Sequence, residues 1–483
     1  MHAQPLMSNA PPLVVDLDGT LTPTDTLLES ILQLLRRSPW DVFALPLWLL
    51  RGRAFFKATI AERCAFSAEL LPLREGLLEH LRGQKSLGRK LVLATAADRR
   101  IADAVATRLG LFDQVLASEH GVNLKGRHKL AAIQAQVGAE FTYAGDSAAD
   151  LPIWKAARSA IVVGATAAVA REAQAATAIE LQLVNTPATA RLWMRQLRVH
   201  QWAKNILLFV PLLTSFGFGD ATRVVHAALA FLAFSLAASA TYVFNDLWDL
   251  DSDRAHPRKK NRPLASAVIQ VGYAVAVACA LLVVAFLIAA QVNAAFVGML
   301  LAYLLLTTAY SWYLKAFCMI DVLMLAGLFT LRIVAGSVAV DVPTSRWLMA
   351  FSIFIFFSLA LVKRCSELVT MEKQGRSIAH GRDYRVGDLV VLWPTGVAAG
   401  LASVVVFWLF INAPEVQQRY ATPELLWVIG FALIYWLSRL WIKTARGEMH
   451  DDPLVYALVN RTSRLTVIGM VGVALAAYFV KLG

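Results

Sequence analysis

Four aspartates fall within eight residues in the run Asn245-Asp246-Leu247-Trp248-Asp249-Leu250-Asp251-Ser252-Asp253-Arg254. Carboxylates this dense repel one another unless cations stand among them. Mg2+ is the usual cation, because it takes a few carboxylates together with substrate phosphates. Spacings of three and four residues put Asp246, Asp249 and Asp253 on one helical face. An apolar run too long for an ordinary buried helix comes before them, and Arg254, Arg258, Lys259, Lys260 and Arg262 follow. The end of a membrane helix is therefore expected to hold a metal-bound diphosphate here.

A second carboxylate pair lies in Asp16-Leu17-Asp18-Gly19-Thr20. It follows the short apolar stretch Leu13–Val15, and α/β sheets place ligands at the carboxyl ends of their strands. One aspartate of such a pair can attack phosphorus while the other moves the proton. Alone, the motif also reads as a surface turn. Three later pieces argue for chemistry. Thr95 follows Leu91-Val92-Leu93-Ala94 and can hold a phosphate oxygen. Lys129 can neutralise a transferring group, and Asp146 and Asp150, in Gly145-Asp146-Ser147-Ala148-Ala149-Asp150, can bind Mg2+.

The elements that must position these residues fall into two classes. The chain of 483 residues is too long for one ordinary soluble domain. Its hydrophobic content of 58% and mean hydropathy of +0.55 indicate a membrane protein. The net charge of +12 is explained by Lys and Arg gathered in cytoplasmic loops, and no nucleic-acid-binding motif is present. Cys64, Cys279, Cys318 and Cys365 form no CxxC pair and read as reduced or buried thiols. The start, MHAQPLMSNAPP, has neither the basic nor the apolar part of a signal peptide, so a cytoplasmic N-terminal domain is expected.

Residues 1–11 are expected to be disordered and 12–184 to form an α/β domain with a parallel sheet and crossover helices. The strand candidates are Leu13–Val15, Leu91–Leu93, Phe141–Tyr143 and Ala160–Val163. Trp40–Leu50 is apolar but too short to span a bilayer, and belongs with a helical cap that touches the membrane. Residues 185–203 form a linker and an interfacial helix whose Arg191, Trp193, Arg195, Arg198 and Trp202 suit either the membrane interface or packing on the soluble domain.

Residues 204–483 contain nine apolar segments, near 205–219, 224–244, 271–291, 294–313, 319–340, 345–362, 390–412, 424–441 and 464–481. Basic residues crowd alternate loops, at Arg254–Arg262, Lys315, Lys363–Arg376 and Lys443–Arg446. The positive-inside rule then puts these loops in the cytoplasm and the C-terminus outside. Arg332 lies inside the fifth segment, where an arginine costs roughly 2.5–3.5 kcal/mol on insertion scales and normally faces a partner in the bundle. Asp321 lies on the same face, about three turns away and too far to touch it. Lys363, Arg364 and Glu367 read as membrane anchors or as ligands. His450-Asp451-Asp452-Pro453 reads as a metal site or a polar loop.

The N-terminal motifs, in this order, resemble the haloacid dehalogenase (HAD) superfamily. The resemblance implies Asp16 as nucleophile, Asp18 as general acid and base, and Thr95 and Lys129 on the phosphate. It also implies Asp16, Asp18, Asp146 and Asp150 around Mg2+, and a substrate-selecting cap over 26–72. The remainder resembles the UbiA superfamily of intramembrane prenyltransferases, and within it the polyprenyl-phosphate phosphoribosyltransferases of the decaprenyl-phosphate type. The matching residues are Arg198-Val199-His200-Gln201-Trp202-Ala203-Lys204-Asn205, Asn245-Asp246 with Asp249 and Asp253, His256-Pro257 and Asn261-Arg262-Pro263. Tyr310-Ser311-Trp312-Tyr313-Leu314-Lys315 and Lys363-Arg364 with Glu367 match as well. Where prenyltransferases carry a second DxxxD motif, this chain has Tyr310, Lys315 and a single Asp321. That departure suits a donor with an extra phosphate.

The resemblance therefore implies transfer of 5-phosphoribose from phosphoribosyl diphosphate to a polyprenyl phosphate, with Mg2+. Asp246, Asp249 and Asp253 would be catalytic metal ligands. Substrate would meet Lys204, Asn245, Arg262, Tyr310, Lys315, Asp321, Arg332, Lys363 and Arg364. The fused phosphatase would then remove the 5-phosphate. A multi-pass protein of a bacterial-type inner membrane with cytoplasmic sites is expected, and a homo-oligomer stays open. Two alternatives remain: a prenyltransferase using an aromatic acceptor beside an unrelated phosphatase, and a transporter or scaffold with a tethered phosphatase.

Overall fold

Six short strands come from stretches that alternate with amphipathic helices, and they pair in parallel in the computed structural model of the chain. The structure describes residues 10–64, 66–119, 122–185, 187–375, 382–449 and 452–481. Of the stretch 1–11 expected to be disordered, residues 1–9 lie outside these, as do His450 and Asp451. The chain divides into two compact units, one of Met1–Leu197 with Val243–Val277, the other of Arg198–Tyr242 with Ala278–Gly483.

In the first unit the sheet has the order β3-β2-β1-β4-β5-β6. The strands are β1 (Leu13–Val15), β2 (Leu91–Asp98), β3 (Gln114–Ser118), β4 (Thr142–Gly145), β5 (Ser159–Val163) and β6 (Ala178–Leu183). The continuous apolar runs of β1, β4 and β5 are buried because helices cover both faces of a parallel sheet. β3 and β6 escape the sequence reading because their patterns are half polar, and β6 alternates exposed and half-buried residues as an edge strand does. β2 runs on to Asp98, so Thr95 stands inside the strand rather than after it. The chain reverses its direction of growth at β1, which is flanked by β2 and β4, and ligands bind at such a switch point.

The cap consists of helices Thr26–Arg37, Leu45–Leu50 and Arg53–Arg63. Asp25 starts the first by accepting the backbone N–H groups of Leu27 and Leu28. The same unit contains the acidic segment. Arg254 forms a forked pair with Glu29 of the first cap helix, at 2.7 and 2.9 Å, and both side chains are buried. Arg36 pairs with Asp251 and donates to the Leu247 carbonyl at 2.7 Å. Two residues of the acidic run therefore hold the cap. Removing one member of a buried ion pair leaves an uncompensated charge, which costs about 3–5 kcal/mol. Glu29→Ala is expected to lower the melting temperature of the full protein in detergent. A melting curve identical to wild type would show that the pair contributes no stability.

Eight helices among the described residues are long and apolar enough to cross a membrane. They are Ala221–Trp248, Val271–Val292, Ala294–Trp312, Ile320–Ala339, Arg346–Lys373, Val386–Ile411, Pro423–Ala445 and Arg461–Phe479. The protein is a multi-pass membrane protein with a helical C-terminal fold. The first expected segment, 205–219, differs from the other eight. It breaks into a 3-10 stretch, Val199–Phe209, and a single helical turn and a half, Val210–Thr214. Pro211 sits at the start of that short helix, and Gly217 and Gly219 follow it. It is therefore not one of those eight continuous helices, although a 3-10 stretch of 11 residues rises about 2 Å per residue and reaches farther than an α-helix of that length. It packs against helix Ile320–Ala339, where a Cβ on Gly336 would lie 2.3 Å from the Leu208 carbonyl oxygen. Only glycine allows that approach, and it carries Asn205 to Arg332.

Candidate active sites

β1 delivers Asp16 to the switch point, and β4 delivers Asp146 beside it. Lys129 donates to Asp16 Oδ2 at 2.6 Å and to the Tyr143 hydroxyl at 3.1 Å. The Tyr143 hydroxyl lies 3.4 Å from Asp16 Oδ2 and donates to Asp150 Oδ1 at 2.9 Å. Asp150 is oriented in turn by the N–H groups of Asp146 and Ser147, at 3.2 and 3.1 Å. Carboxylate oxygens of Asp16, Asp146 and Asp150 lie within 4.8 Å of one another. Burial, then Asp150 and Asp16, pushes the Asp146 carboxyl up to about 7. Three carboxylates thus share a corner with one ammonium, and a divalent cation is the group that would relieve their repulsion.

Asp18 is not part of that three-carboxylate corner. Its Oδ1 accepts the Thr26 N–H at 2.8 Å, and burial followed by Asp25 lifts its carboxyl to about 7. Thr95 is buried in β2, and its hydroxyl accepts the Ala97 N–H at 3.0 Å. Gly19 sits at φ +76°, and a Cβ there would stand 2.1 Å from Asp146. The loop after β1 therefore needs glycine both for its backbone and for the carboxylate it faces. A cavity of about 580 Å3 opens over Asp16, Asp18 and Asp146. Tyr143 is the residue the motif reading missed. It was legible only as part of a strand, and its hydroxyl gains meaning once β4 lies beside β1.

The acidic segment keeps its helical path through the Asp249 N–H to Asn245 oxygen bond at 2.9 Å and the Asp253 N–H to Asp249 oxygen bond at 2.8 Å. Arg262 Nη1 reaches Asp246 Oδ1 at 3.2 Å and Asp253 Oδ2 at 2.5 Å. Gln196 donates to the other oxygen of Asp246 at 2.9 Å, and Lys259 stands 3.7 Å from Asp253. Two of the three expected carboxylates therefore converge on one cationic nitrogen, a position a divalent cation suits. Asp249 is half-buried, forms no side-chain hydrogen bond or ion pair among the described residues, and does not join them in a three-carboxylate cluster.

In the second unit Lys204 donates to Asp452 at 2.6 Å, and Lys363 stands 3.7 Å from the same carboxylate. Lys204 and Arg332 both lie over the Phe329 ring, at 5.7 and 5.4 Å. The Arg332 guanidinium is buried and donates to Asn205 at 2.9 Å, the Leu328 carbonyl at 2.6 Å and the Tyr303 hydroxyl at 3.3 Å. It faces the bundle interior and is held by neutral groups. Asp452 comes from the run that read as a metal site or a loop, and it serves these lysines as counter-ion. Asp321 and Arg364 pair with each other, with Glu367 and Tyr384 as further partners. Arg382 also reaches Glu367, at 2.6 Å. Arg364 is thus engaged by two carboxylates in a buried network. Tyr310 and Lys315 are half-buried, Lys315 in the turn Leu314–Ala316.

A family model described as the UbiA prenyltransferase family matches residues 207–460, and one described as haloacid dehalogenase-like hydrolase matches residues 13–155. An uncharacterised protein of Sinorhizobium fredii, y4nM, is 38% identical over 97% of this chain and 90% of its own length. The nodulation protein NoeC of Azorhizobium caulinodans is 33% identical over 56% of this chain and 89% of its own. A decaprenyl-phosphate phosphoribosyltransferase of Mycolicibacterium smegmatis is 31% identical over 59% of this chain and 92% of its own.

Proposed function

The chain belongs to the UbiA prenyltransferase family and carries a haloacid dehalogenase-like hydrolase domain ahead of it, and on that premise we propose a bifunctional enzyme of lipid-linked ribose synthesis. The membrane domain transfers 5-phosphoribose from phosphoribosyl diphosphate to a polyprenyl phosphate. The N-terminal domain removes the 5-phosphate from the product. The domain boundaries at 12–184, 185–203 and 204–483 follow from this reading, as does a bacterial inner membrane with both sites on its cytoplasmic face.

One observation carries the transferase half. Lys204, Lys363 and Arg332 are gathered in the second unit, and Asp452 is the carboxylate that both lysines approach. Surplus positive charge inside a membrane bundle is costly without an anionic ligand. A donor bearing a diphosphate and a further phosphate supplies that charge, and so does the headgroup of a lipid phosphate. Homology to a relative named decaprenyl-phosphate phosphoribosyltransferase supports the same class.

In this mechanism a lipid phosphate oxygen attacks the anomeric carbon of the ribose as the bond to diphosphate breaks. Asp246, Asp249 and Asp253 would hold Mg2+, which when bound would neutralise charge developing on the diphosphate. Arg262 passes from its two carboxylates to phosphate oxygens, and Lys204 and Lys315 hold the remaining charge. Arg364 is engaged by Asp321 and Glu367, which leaves phosphate binding to the lysines and Arg332. In the N-terminal site Asp16 attacks phosphorus and the phosphorus–sugar oxygen bond breaks. Asp18 gives the sugar oxygen its proton, then activates the water that splits the aspartyl phosphate to inorganic phosphate. Lys129 and Thr95 hold the phosphoryl oxygens, and Asp16, Asp146 and Asp150 are the residues that would hold Mg2+.

The test is transfer by the purified protein in detergent, with labelled phosphoribosyl diphosphate and a polyprenyl phosphate. Radiolabelled ribose in the lipid fraction, with diphosphate released, is the expected result. Diphosphate release only with a prenyl diphosphate and an aromatic acceptor would sink this reading in favour of a prenyltransferase.

A further inference from the structure

The phosphatase-like cavity has one wall that no soluble hydrolase needs. Its lining also includes Gln270, Val271, Gly272, Tyr273 and Ala276. Gln270 precedes, and the other four begin, helix Val271–Val292, the most apolar of the membrane-spanning candidates. All of them belong to the first compact unit. A Cβ on Gly272 would stand 3.3 Å from Leu28 of the first cap helix, so the cap and this helix meet closely along one edge. Tyr273 is 65% exposed beside the opening.

The charges of the cavity are equally specific. Lys129 is committed to Asp16. Two further lysines, Lys57 from the cap and Lys125 from the loop after β3, line the same space. Lys57 donates to the Ala96 carbonyl at 2.6 Å and to Asn123 at 3.2 Å, which fixes its ammonium on the wall with a third N–H still to give. A substrate with a single phosphate needs the Lys129 side only. Lys57 faces Asp18 and Asp25 across this space, and its remaining N–H together with Lys125 suits a second anion on the same molecule.

We propose that this cavity is a site for a phosphomonoester carried on a membrane lipid through a phosphodiester, with Lys57 and Lys125 holding the phosphodiester and Gln270–Ala276 guiding the lipid-bound end. The inference rests on the reading of the N-terminal domain as the phosphatase of the transfer product, whose 5-phosphate and lipid phosphodiester are such a pair of anions. A second feature of the cap agrees with a lipid-borne substrate. Its turn and short helix over 39–50 expose Trp40, Phe43, Leu47 and Leu50, with Arg51 and Arg53 next to them. Aromatic and leucine side chains flanked by arginine are the composition of an interfacial anchor.

The same chemistry can be offered on a lipid or free, and phosphate release by the full protein in detergent separates them. The probes are a polyprenyl-phosphoryl 5-phosphoribose, free ribose 5-phosphate and para-nitrophenyl phosphate. Wild type is expected to favour the lipid-linked substrate over ribose 5-phosphate by about a hundredfold or more in kcat/KM, since both the second anion and the lipid add binding. Lys57→Gln is expected to cut kcat/KM for the lipid-linked substrate about tenfold, through KM, and to narrow its preference over para-nitrophenyl phosphate by the same factor. Lys57→Arg should recover most of that preference. Equal turnover of free and lipid-linked ribose phosphate, or an unchanged preference in Lys57→Gln, would overturn the proposed wall while leaving a phosphatase of the transfer product in place. Hydrolysis of para-nitrophenyl phosphate without any hydrolysis of the lipid-linked substrate would overturn the phosphatase reading and this site together.

Discussion

Asp16→Asn is expected to stop release of inorganic phosphate from the lipid product, by about 10³-fold or more, because an amide cannot form the aspartyl phosphate. Asp16 is buried, joined to Lys129 at 2.6 Å, and its Oδ1 accepts the Leu17 N–H at 2.8 Å. Asparagine keeps the size and can keep the Leu17 bond, so the fold should survive. The ribosylated lipid should then accumulate with its 5-phosphate attached while transfer continues. Mass spectrometry of the lipids made by the variant, with no other phosphatase present, reads this directly. Finding the same dephosphorylated lipid from Asp16→Asn and wild type would assign the N-terminal domain to another substrate.

Asp249→Asn should abolish transfer, by about a hundredfold or more, together with the dependence of donor binding on Mg2+. Asp249 is the informative position among the three aspartates. Asp246 is tied to Gln196 and Arg262, and buried Asp253 to Arg262, so substituting either also disturbs local packing. The Asp249 side chain makes no such bond among the described residues and does not cap the following helix. Loss of activity there reports on ligand rather than on fold. The measurement is transfer rate against Mg2+ concentration, with melting in detergent as the control. A wild-type rate in a variant that melts normally would remove Asp249 from the metal site. Phosphate release from supplied lipid-linked substrate should persist in this variant, as transfer persists in Asp16→Asn.

Local pattern was enough to set much of this protein. Long apolar runs declare membrane helices because a bilayer core demands ~20 residues with every backbone group satisfied internally. The buried strands β1, β2, β4 and β5 were legible because a parallel sheet buries both faces of its strands. Motif spacing named Asp16, Lys129, Asp146 and Asp150, and all four meet at the carboxyl ends of β1 and β4. The acidic run was legible as a helical face, since hydrogen bonding four residues back is a local property.

Partnership was decided only by the tertiary structure. Arg254 and Asp251 read only as members of a dense charged run, and the structure pairs them with Glu29 and Arg36, more than two hundred residues earlier in the chain. Arg332 was recognisable as an interior arginine, but Asn205 and Tyr303 as its acceptors were not. Asp452 became a counter-ion only when Lys204 and Lys363 met it. The first apolar segment had the composition of a span, but only the structure showed it as a broken, partly 3-10 stretch whose Leu208 closely approaches Gly336. Periodicity and spacing are written in neighbouring residues, so the sequence alone determined the elements and most candidate ligands. Which charge neutralises which depends on chain segments brought together by packing, and in a medium that makes an unpaired charge costly, that packing decides what each charged residue does.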